Sequence, residues 1–115
     1  MPAISSIVLL VTNEGMGHSD RALQLKLIDK YLRLLEQSNL LPNAICFYTD
    51  GVKLVVEGSP VLDILQAFTD KGVRLIVCST CLEYLGLTDK VRVGIVGGMP
   101  DIIEAQYKAD KVITI

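Results

Sequence analysis

The sequence predicts an α/β fold in which helices cover both faces of a parallel sheet. Short apolar segments rich in β-branched residues alternate with helical patterns along all 115 residues. These segments are apolar throughout rather than at every second position, which is typical of strands buried on both faces. No linker, internal repeat or low-complexity stretch interrupts the alternation. We therefore expect a single domain that spans residues 1–115.

Five strands and four helices are predicted along the chain. The strands are placed at Ile4–Thr12, Ala44–Tyr48, Val73–Val77, Val91–Val93 and Lys111–Ile115. The helices are placed at Asp20–Gln37, Ser59–Lys71, Ser79–Tyr84 and Asp101–Lys108, with a short helical turn near Val52–Val56. Their starts are assigned from residues that commonly cap or open helices. These residues are Ser19 or Asp20, Ser59, Ser79 or Thr80, and Pro100.

Composition and charge exclude several classes of function. The net charge is −2 with both signs scattered, so no basic surface for nucleic acid is predicted. No apolar run approaches the roughly 20 residues that a membrane helix needs. Residues 1–6 lack the basic start of a secretory signal, and the three cysteines form an odd number. We expect a cytoplasmic protein that binds neither membrane nor nucleic acid and has no disulfide framework.

The pair Cys78 and Cys81 is the most informative feature of the sequence. Cys78 directly follows the apolar segment Val73–Val77 and precedes a predicted helix start. Free backbone N–H groups and the positive end of the helix dipole stabilise a thiolate there. They are expected to lower the pKa of the Cys78 thiol below the free value of about 8.5. Three residues apart on a helix, the two sulfurs share one face. The sequence therefore predicts a reactive thiol at this point.

Three functions and one structural role fit this pair of cysteines. The pair is a nucleophile that carries sulfur as a persulfide, a dithiol that forms a reversible disulfide, or half of a zinc site. A zinc site needs two further ligands, and only His18 and Cys46 remain among the His and Cys residues. Cys46 is predicted to pack in the core within strand two. We expect no metal and no cofactor, and the structural alternative is two small residues at a tight strand–helix junction.

A candidate pocket is predicted at the carboxyl edge of the sheet, where α/β folds bind ligands. The loops 13–19, 49–53 and 94–100 meet at this edge. Lys53 is expected near the thiol, and His18 is either a proton donor or a solvated loop residue. The residues assigned to the pocket are Gly15, Gly17, His18, Asp50, Gly51, Lys53, Gly97, Gly98 and Met99.

The loop before the first helix resembles a dinucleotide-binding turn only in part. Gly15 and Gly17 match the first two glycines of that motif, but Asp20 stands where the third is required. The carboxylates of Glu14 and Asp20 would also repel a pyrophosphate. A flexible loop that caps the next helix is the favoured interpretation.

The first predicted helix, Asp20–Gln37, has a wide apolar face. Eight apolar side chains cover an arc of roughly 200°, whereas a helix that packs on one sheet needs only about 100°. The excess points to an interface between subunits, and the alternative is cover by neighbouring helices of the same subunit. The eight residues are Leu23, Leu25, Leu27, Ile28, Tyr31, Leu32, Leu34 and Leu35.

The sequence resembles the DsrE/DsrF-like family along nearly its whole length. The most specific match is the segment Cys78-Ser79-Thr80-Cys81-Leu82, followed by Gly86-Leu87. Further matching segments are Phe47–Leu54, Glu57–Ser59, Leu62, Gly72-Val73, Asp89-Lys90 and Ala109–Val112. Within the family, the chain is most similar to the DsrE-like domain of YedF-type proteins, which are linked to selenium metabolism, and to YchN-type proteins.

The resemblance implies both a fold and a function. The implied fold is a three-layer α/β/α sandwich with a five-stranded parallel sheet of order 4-3-2-1-5, assembled as a trimer or hexamer. In the sulfur-relay branch, a cysteine at the end of the third strand carries sulfane sulfur as a persulfide. Cys78 matches that cysteine, and Cys81 matches the second cysteine of the YedF and YchN pattern. Leu82, Glu83 and Tyr84 follow where the sulfur-relay branch tends to have arginines.

Two functional hypotheses are kept, the first from the resemblance and the second from the loops at the sheet edge. In the first, the protein is a sulfurtransferase-like carrier more than a turnover enzyme, with Cys78 bearing the sulfur and Cys81 resolving it. Its donor and acceptor are then thiols of other proteins. In the second, the protein is a non-catalytic oligomeric binding module with a pocket at the carboxyl edge of the sheet.

Overall fold

The computed structural model describes residues 6–115, so Ile4 and Ser5 of the predicted first strand lie outside the described residues. The strands are β1 (Ile7–Val11), β2 (Ala44–Phe47), β3 (Arg74–Cys78), β4 (Ile95–Gly97) and β5 (Lys111–Thr114). The α-helices are α1 (Arg21–Gln37), α2 (Leu62–Asp70), α3 (Ser79–Leu85) and α4 (Met99–Lys108). Short 3-10 helices span Thr49–Val55 and Thr88–Lys90.

The five strands form one parallel sheet in the order β4-β3-β2-β1-β5, with helices on both faces. The predicted fold class and strand order are therefore confirmed. The middle strands β1, β2 and β3 are almost wholly buried. This burial explains why their sequences are apolar throughout. The outer strands β4 and β5 pair on one side only and are mostly exposed.

The connections place the carboxyl end of β3 at a topological switch point. Because parallel crossovers are right-handed, α1, α2 and α3 lie on one face, and α4, which returns from β4 to β5, lies on the other. The segments after β3 and β4 thus leave the sheet toward opposite faces. Ligands of α/β folds bind in the crevice between two such segments. In the strand register, Cys78 pairs with Gly97 at this crevice.

The fourth strand is Ile95–Gly97, and its prediction at Val91–Val93 is wrong. Val91 instead forms an isolated antiparallel bridge with Val56. Gly94, with φ of +91°, then turns the chain into the true strand. As an edge strand β4 is largely exposed, so its short sequence lacks the apolar run that marks the buried strands.

Two helices begin later than predicted, for reasons visible at their caps. α1 begins at Arg21 because Asp20 is its N-cap, and the Asp20 carboxylate accepts the N–H of Leu23 at 3.0 Å. α2 begins at Leu62, so the prediction of Ser59 as its N-cap is wrong. The hydroxyl of Ser59 accepts the N–H of Val61 at 3.2 Å and closes a turn ahead of the helix.

The starts of α3 and α4 also differ from their predictions. The N-cap position of α3 is Cys78, so neither Ser79 nor Thr80 caps it. α4 begins at Met99, ahead of the predicted start at Asp101. The carboxylate of Asp101 accepts the N–H of Gly98 at 2.8 Å and holds this first turn. The segment predicted as a loop at 94–100 therefore contains all of β4 and the start of α4.

The core is centred on β2 and on the helices packed against it. Cys46 and Phe47 of β2 are buried, as are Ile28 and Leu32 of α1 and Phe68 of α2. The core position predicted for Cys46 is confirmed. The predicted helical turn near 52–56 is also confirmed, although the 3-10 helix begins earlier, directly after β2. Within residues 6–115, no helix combines the length and apolarity needed to cross a membrane.

Candidate functional site

Cys78 closes β3 and stands immediately before α3, where the sequence predicted it. Its side chain is buried, at 1 % exposure. Although Cys78 occupies the N-cap position, its side chain makes no capping hydrogen bond with the first turn of the helix. The position is confirmed, but the expected contact between the Cys78 sulfur and the helix N–H groups is not formed.

Cys81 lies one turn into α3 and is the more accessible of the two thiols. It is only partly buried, and its Sγ accepts a hydrogen bond from the backbone N–H of Thr49 at 3.1 Å. The side chains of Cys78 and Cys81 lie close enough for Cys78 to affect the pKa of Cys81, and both thiols are free. The pair therefore shares one face at the start of α3, as its spacing predicts.

Burial raises the pKa of the Cys81 thiol, and the neighbouring Cys78 thiol raises that pKa further. The N–H of Thr49 acts in the opposite direction because it stabilises the thiolate. Cys81 is therefore a neutral thiol at pH 7 whose reactivity increases with pH. Burial has a larger effect on Cys46 and raises the pKa of that thiol to about 11.

Thr49 is the site residue that the sequence prediction missed. Its φ of +48° lies in the left-handed region, which β-branched residues rarely adopt. Its hydroxyl hydrogen-bonds to the carbonyl oxygen of Thr12 and lies 2.6 Å from that of Tyr48. These contacts hold the Thr49 backbone N–H toward Cys81. The Thr-Asp-Gly sequence after β2 signals a turn, but the direction of one amide within that turn leaves no signal in the sequence.

Gly51 allows the 3-10 helix Thr49–Val55 to pack against the end of β1. A Cβ at Gly51 would lie 2.1 Å from the carbonyl oxygen of Val11, a separation that only glycine avoids. Val11 also accepts the N–H of Tyr48 at 3.1 Å. Gly51, predicted as a pocket residue, thus serves to place Thr49 beside α3.

A groove of about 330 Å³ opens beside Cys81, and we call it the Cys81 groove. Its surface is mostly apolar. The residues that line it are Thr49, Asp50, Thr80, Cys81, Tyr84 and Leu85. Cys78 is buried and is not among these lining residues.

Lys53, expected near the thiol, lines a neighbouring cavity of about 500 Å³. Its ammonium group pairs with the Asp50 carboxylate at 3.1 Å. In the same cavity, Arg21 pairs with Glu14 at 2.9 Å. The lining residues of this cavity are Glu14, Arg21, Lys53, Val56, Glu57, Gly58, Ser59, Leu85 and Leu87. Leu85 borders both spaces, so the two cavities adjoin.

The predicted pocket residues before α1 lie apart from the thiol pair. Gly15 is buried, and a Cβ there would lie 2.4 Å from the carbonyl oxygen of Gln24. Gly17 and His18 are exposed in the same loop. This loop contributes Glu14 to the larger cavity, and none of its residues lines the Cys81 groove.

The predicted pocket residues after β4 lie on a third surface. Gly97 lines a separate cavity of about 200 Å³, together with residues of β3 and Asp101. Gly98 and Met99 form the start of α4. The three loops at the carboxyl edge therefore do not enclose one common pocket. Within residues 6–115, no three His, Cys, Asp or Glu side chains are grouped as metal ligands.

Residues 5–115 match the sequence model of the DsrE/DsrF-like family. The chain belongs to this family. Among similar solved structures, the ychN protein from E. coli has 22 % sequence identity and a TM-score of 0.68, with 97 % of this chain and 100 % of that chain covered. Protein MTH1491 of unknown function, from Methanobacterium thermoautotrophicum, has 20 % identity and a TM-score of 0.71 at the same coverage. No curated protein matches the chain.

A third similar structure is the conserved protein of unknown function BT1422 from Bacteroides thetaiotaomicron. It has 15 % identity and a TM-score of 0.64, and the comparison covers 99 % of this chain and 100 % of that one. Identities this low show a shared fold and assign no residue roles. The DsrE/DsrF-like family inferred from the cysteine segment is confirmed, and the roles of the two cysteines rest on their geometry in this chain.

Proposed function

We propose that this DsrE/DsrF-like protein handles sulfane sulfur at Cys78 and Cys81, holding it as a persulfide between a donor and an acceptor thiol. The observation that carries the proposal is a pair of neighbouring free thiols at the switch point of the sheet, one of which opens into a groove. Two cysteines that merely fill space would need neither the groove nor an N–H donor on one sulfur.

The proposed transfer exchanges one S–S bond for another. A thiolate of the pair attacks the outer sulfur of a donor persulfide, R–S–SH, and displaces the donor thiolate, which takes a proton from water. An acceptor thiolate then repeats this step on the persulfide held by the protein. The resemblance assigns the persulfide to Cys78 and the resolving step to Cys81. Because both steps need reduced thiols, a reducing, cytoplasmic setting and protein thiols as partners belong to the proposal.

Inorganic polysulfide and intact mass measurement test this function. We expect the reduced wild-type protein to gain about 32 Da per added sulfur, or to become about 2 Da lighter where the second thiol has closed a disulfide. The double variant Cys78→Ala/Cys81→Ala should show neither change, although it retains Cys46. The variant Cys46→Ala should behave as the wild type does. A wild type that shows neither change, or a double variant that matches it, would overturn the proposal. Bound selenium would be recognised in the same spectra by its larger mass.

A non-catalytic binding module is the second candidate, and the larger cavity is the observation in its favour. The charged groups of that cavity are already paired: Arg21 with Glu14, Lys53 with Asp50, and Glu57 with Lys90 and Arg92. It therefore offers little unpaired charge to a ligand. A wild type that polysulfide leaves unmodified, together with unchanged stability of the double cysteine variant, would favour this candidate over sulfur transfer.

We also propose that the protein forms a homo-oligomer, a trimer or a hexamer, through α1. Leu23, Leu27 and Leu34 are 39–52 % exposed and lie within roughly 40° of one another around the helix. Arg33, which pairs with Asp63 of α2 at 3.1 Å, lies about 100° around α1 from the centre of this stripe. Thus α2 does not cover this leucine stripe, and a second copy of the chain brings an equally apolar surface.

Light scattering after size exclusion tests the assembly. We expect the wild type to elute as a trimer or hexamer at micromolar concentration and Leu27→Lys to elute as a smaller species, because the variant places a charge in the contact. The control Gln66→Lys adds the same charge at an exposed position of α2 and should leave the assembly unchanged. A monomeric wild type would contradict this proposal and leave the sulfur chemistry untouched.

A further inference from the structure

We propose that Cys81 takes the sulfur first and Cys78 acts second, the reverse of the order that the family resemblance implies. This inference rests on the proposed function. Cys78 is 1 % exposed, whereas Cys81 is partly exposed and lines the Cys81 groove. A donor persulfide is attached to a larger molecule, and the attacking sulfur must reach its outer sulfur directly. Only the thiol that faces the groove meets that requirement.

The hydrogen bond on the sulfur favours the same order. The N–H of Thr49 points at Cys81 Sγ from 3.1 Å, while Cys78 makes no capping hydrogen bond at the helix start. A donor of this kind binds a thiolate more strongly than a thiol, because the bond becomes charge-assisted. Thr49 adopts the left-handed conformation, which is unfavourable for a β-branched residue, and in this conformation its N–H points toward Cys81 of α3. We therefore regard Thr49 as a positioning residue for Cys81.

The proposed steps balance in atoms and electrons. Cys81 loses its proton to water, and its thiolate attacks the outer sulfur of R–S–SH, giving Cys81–S–SH and R–S⁻. An acceptor thiolate that enters the groove can remove this sulfur. Without an acceptor, the Cys78 thiolate attacks Sγ of Cys81, forms the Cys78–Cys81 disulfide and releases HS⁻. The sulfane sulfur is then reduced by two electrons from the dithiol, and an external dithiol reductant restores the pair.

The existing contact between the two side chains makes the second step geometrically direct. The Cys78 side chain is near enough to raise the pKa of Cys81, and the two residues lie three positions apart at the start of α3. Their separation of one helical turn is compatible with the Cα–Cα distance that a disulfide requires, below about 7 Å. Burial does not hinder Cys78 in this role, because its target is the neighbouring sulfur rather than a molecule from solvent.

Two single variants separate the roles of the thiols. Cys78→Ser and Cys81→Ser are each treated with inorganic polysulfide and analysed by intact mass and by assay of released sulfide. We expect Cys78→Ser to accumulate a persulfide of about +32 Da on Cys81 and, once excess polysulfide and the sulfide displaced during loading are removed, to release no further sulfide. We expect Cys81→Ser to remain unmodified. The wild type should release sulfide and form the internal disulfide.

The possible outcomes distinguish the order of the thiols from the function itself. A persulfide on Cys81→Ser, whether or not Cys78→Ser also gains one, overturns the proposed order and leaves sulfur transfer standing. If the wild type and both variants all stay unmodified, the proposed function fails. Circular dichroism of each variant, compared with the wild type, shows that an unmodified variant is still folded.

A second measurement needs no cysteine variant. The native wild type is labelled with limiting N-ethylmaleimide, and peptide mapping follows each cysteine over time. We expect Cys81 to react at least about tenfold faster than Cys78 because only Cys81 faces the groove. Faster labelling of Cys78 would overturn the proposal.

The pH dependence of the same labelling reaction tests Thr49. In Thr49→Val the hydroxyl contacts are lost while the β-branched side chain still disfavours the left-handed conformation. The pH midpoint for labelling of Cys81 should therefore rise as the N–H of residue 49 turns away from the sulfur. Thr49→Ser retains the hydroxyl contact and should restore the midpoint of the wild type. An unchanged midpoint in Thr49→Val would overturn the positioning role, whatever the effect of the substitution on stability.

Discussion

Cys46 and Cys81 have opposite surroundings, one within β2 and the other in the helix that follows the adjacent strand β3. Cys46 sits within β2, between Leu10 of β1 and Ile76 of β3 in the strand register. It is fully buried, and burial raises the pKa of its thiol to about 11. Cys81 lies just past the end of β3, opens into the Cys81 groove and accepts a backbone N–H from Thr49.

The comparison shows that position along the strand decides what a cysteine can do in this fold. Within the sheet, the surrounding strands and helices keep solvent and reagents away from the thiol, which then acts as a small apolar side chain. Past the carboxyl end, the chain must turn, and the turn supplies backbone N–H groups and an open surface. Cys78 lies between these two regions. It is buried like a residue of the strand, but its neighbour Cys81 is partly exposed past the strand end.

The largest expected difference between these regions is in the labelling rate of the native protein. Cys46 reacts only when the sheet opens, and such opening in a stable domain should make its labelling at least about a thousandfold slower than that of Cys81. N-ethylmaleimide labelling followed by peptide mapping measures both rates in one sample. In urea the two rates should converge. Native labelling of Cys46 within tenfold of Cys81 would mean that the two environments do not differ as described.

A substitution at Gly51 should disturb the edge region and leave the interior of the sheet intact. Gly51→Ala forces a Cβ to within 2.1 Å of the Val11 carbonyl oxygen, so the 3-10 helix must shift at a cost of about 3 kcal/mol. The shift moves Thr49 away from Cys81 and should change the labelling rate of Cys81 but not that of Cys46.

Gly58→Ala is the matched control for this substitution. A Cβ at Gly58 would meet nothing within 4 Å, and the strain of its φ of +91° is the only penalty. We expect a loss of about 1 kcal/mol in the free energy of unfolding and unchanged labelling of Cys81. Equal losses in the two variants would show that close packing at Gly51 is not what positions the 3-10 helix.

The same substitution at each cysteine should have unequal effects on stability. Cys46→Ser places a hydroxyl in an apolar interior and should lower the free energy of unfolding by about 2 kcal/mol. In Cys81→Ser, solvent in the groove and the N–H of Thr49 can satisfy the hydroxyl, so the loss should stay below about 1 kcal/mol. Urea unfolding monitored by circular dichroism measures both variants. A larger loss at Cys81 would contradict the difference in burial.

Much of the fold could be predicted from the sequence because β1, β2 and β3 are buried on both faces. Burial of that kind requires continuous apolar runs, and these are visible without a structure. The edge strand β4 has no such requirement, and its prediction at Val91–Val93 was wrong. The start of α2 was misplaced because Ser59 caps a turn instead of the helix, a choice that depends on how the preceding chain folds.

The candidate site was predictable in location but not in internal order. Cys78 and Cys81 follow a strand that the sequence identifies, so their place at the sheet edge followed directly. Their relative access depends on the 3-10 helix Thr49–Val55, which packs beside α3 and whose residues lie about thirty positions away in the chain. Lys53 is predicted near the thiol because it follows β2 at the same sheet edge, but it lines the adjoining cavity, where its ammonium group pairs with Asp50.

The smallest expected difference concerns stability at alkaline pH. The pKa of Cys46 is raised to about 11 in the folded protein, whereas an exposed thiol in the unfolded chain titrates near 8.5. A raised folded pKa means that the stabilisation is fully present below about pH 8.5 and is lost as the pH rises toward 11. The pKa of Cys81 is raised as well, but this thiol is partly exposed and has a donor that favours its thiolate, so its contribution should be smaller.

Urea unfolding at pH 7, 9 and 10 separates the two contributions. Cys46→Ala should remove a measurable part of the decline in unfolding free energy between pH 9 and 10 that the wild type shows. Cys81→Ala should leave most of that decline in place. Both variants retain every other group that titrates in this range, including Tyr31, whose pKa burial also raises, so the difference between the slopes reports the substituted thiol alone. Parallel slopes for Cys46→Ala and the wild type would show that the pKa of Cys46 is the same in the folded and the unfolded protein. Burial within the sheet would then not disfavour the Cys46 thiolate, and the contrast in pKa between the two regions would be wrong.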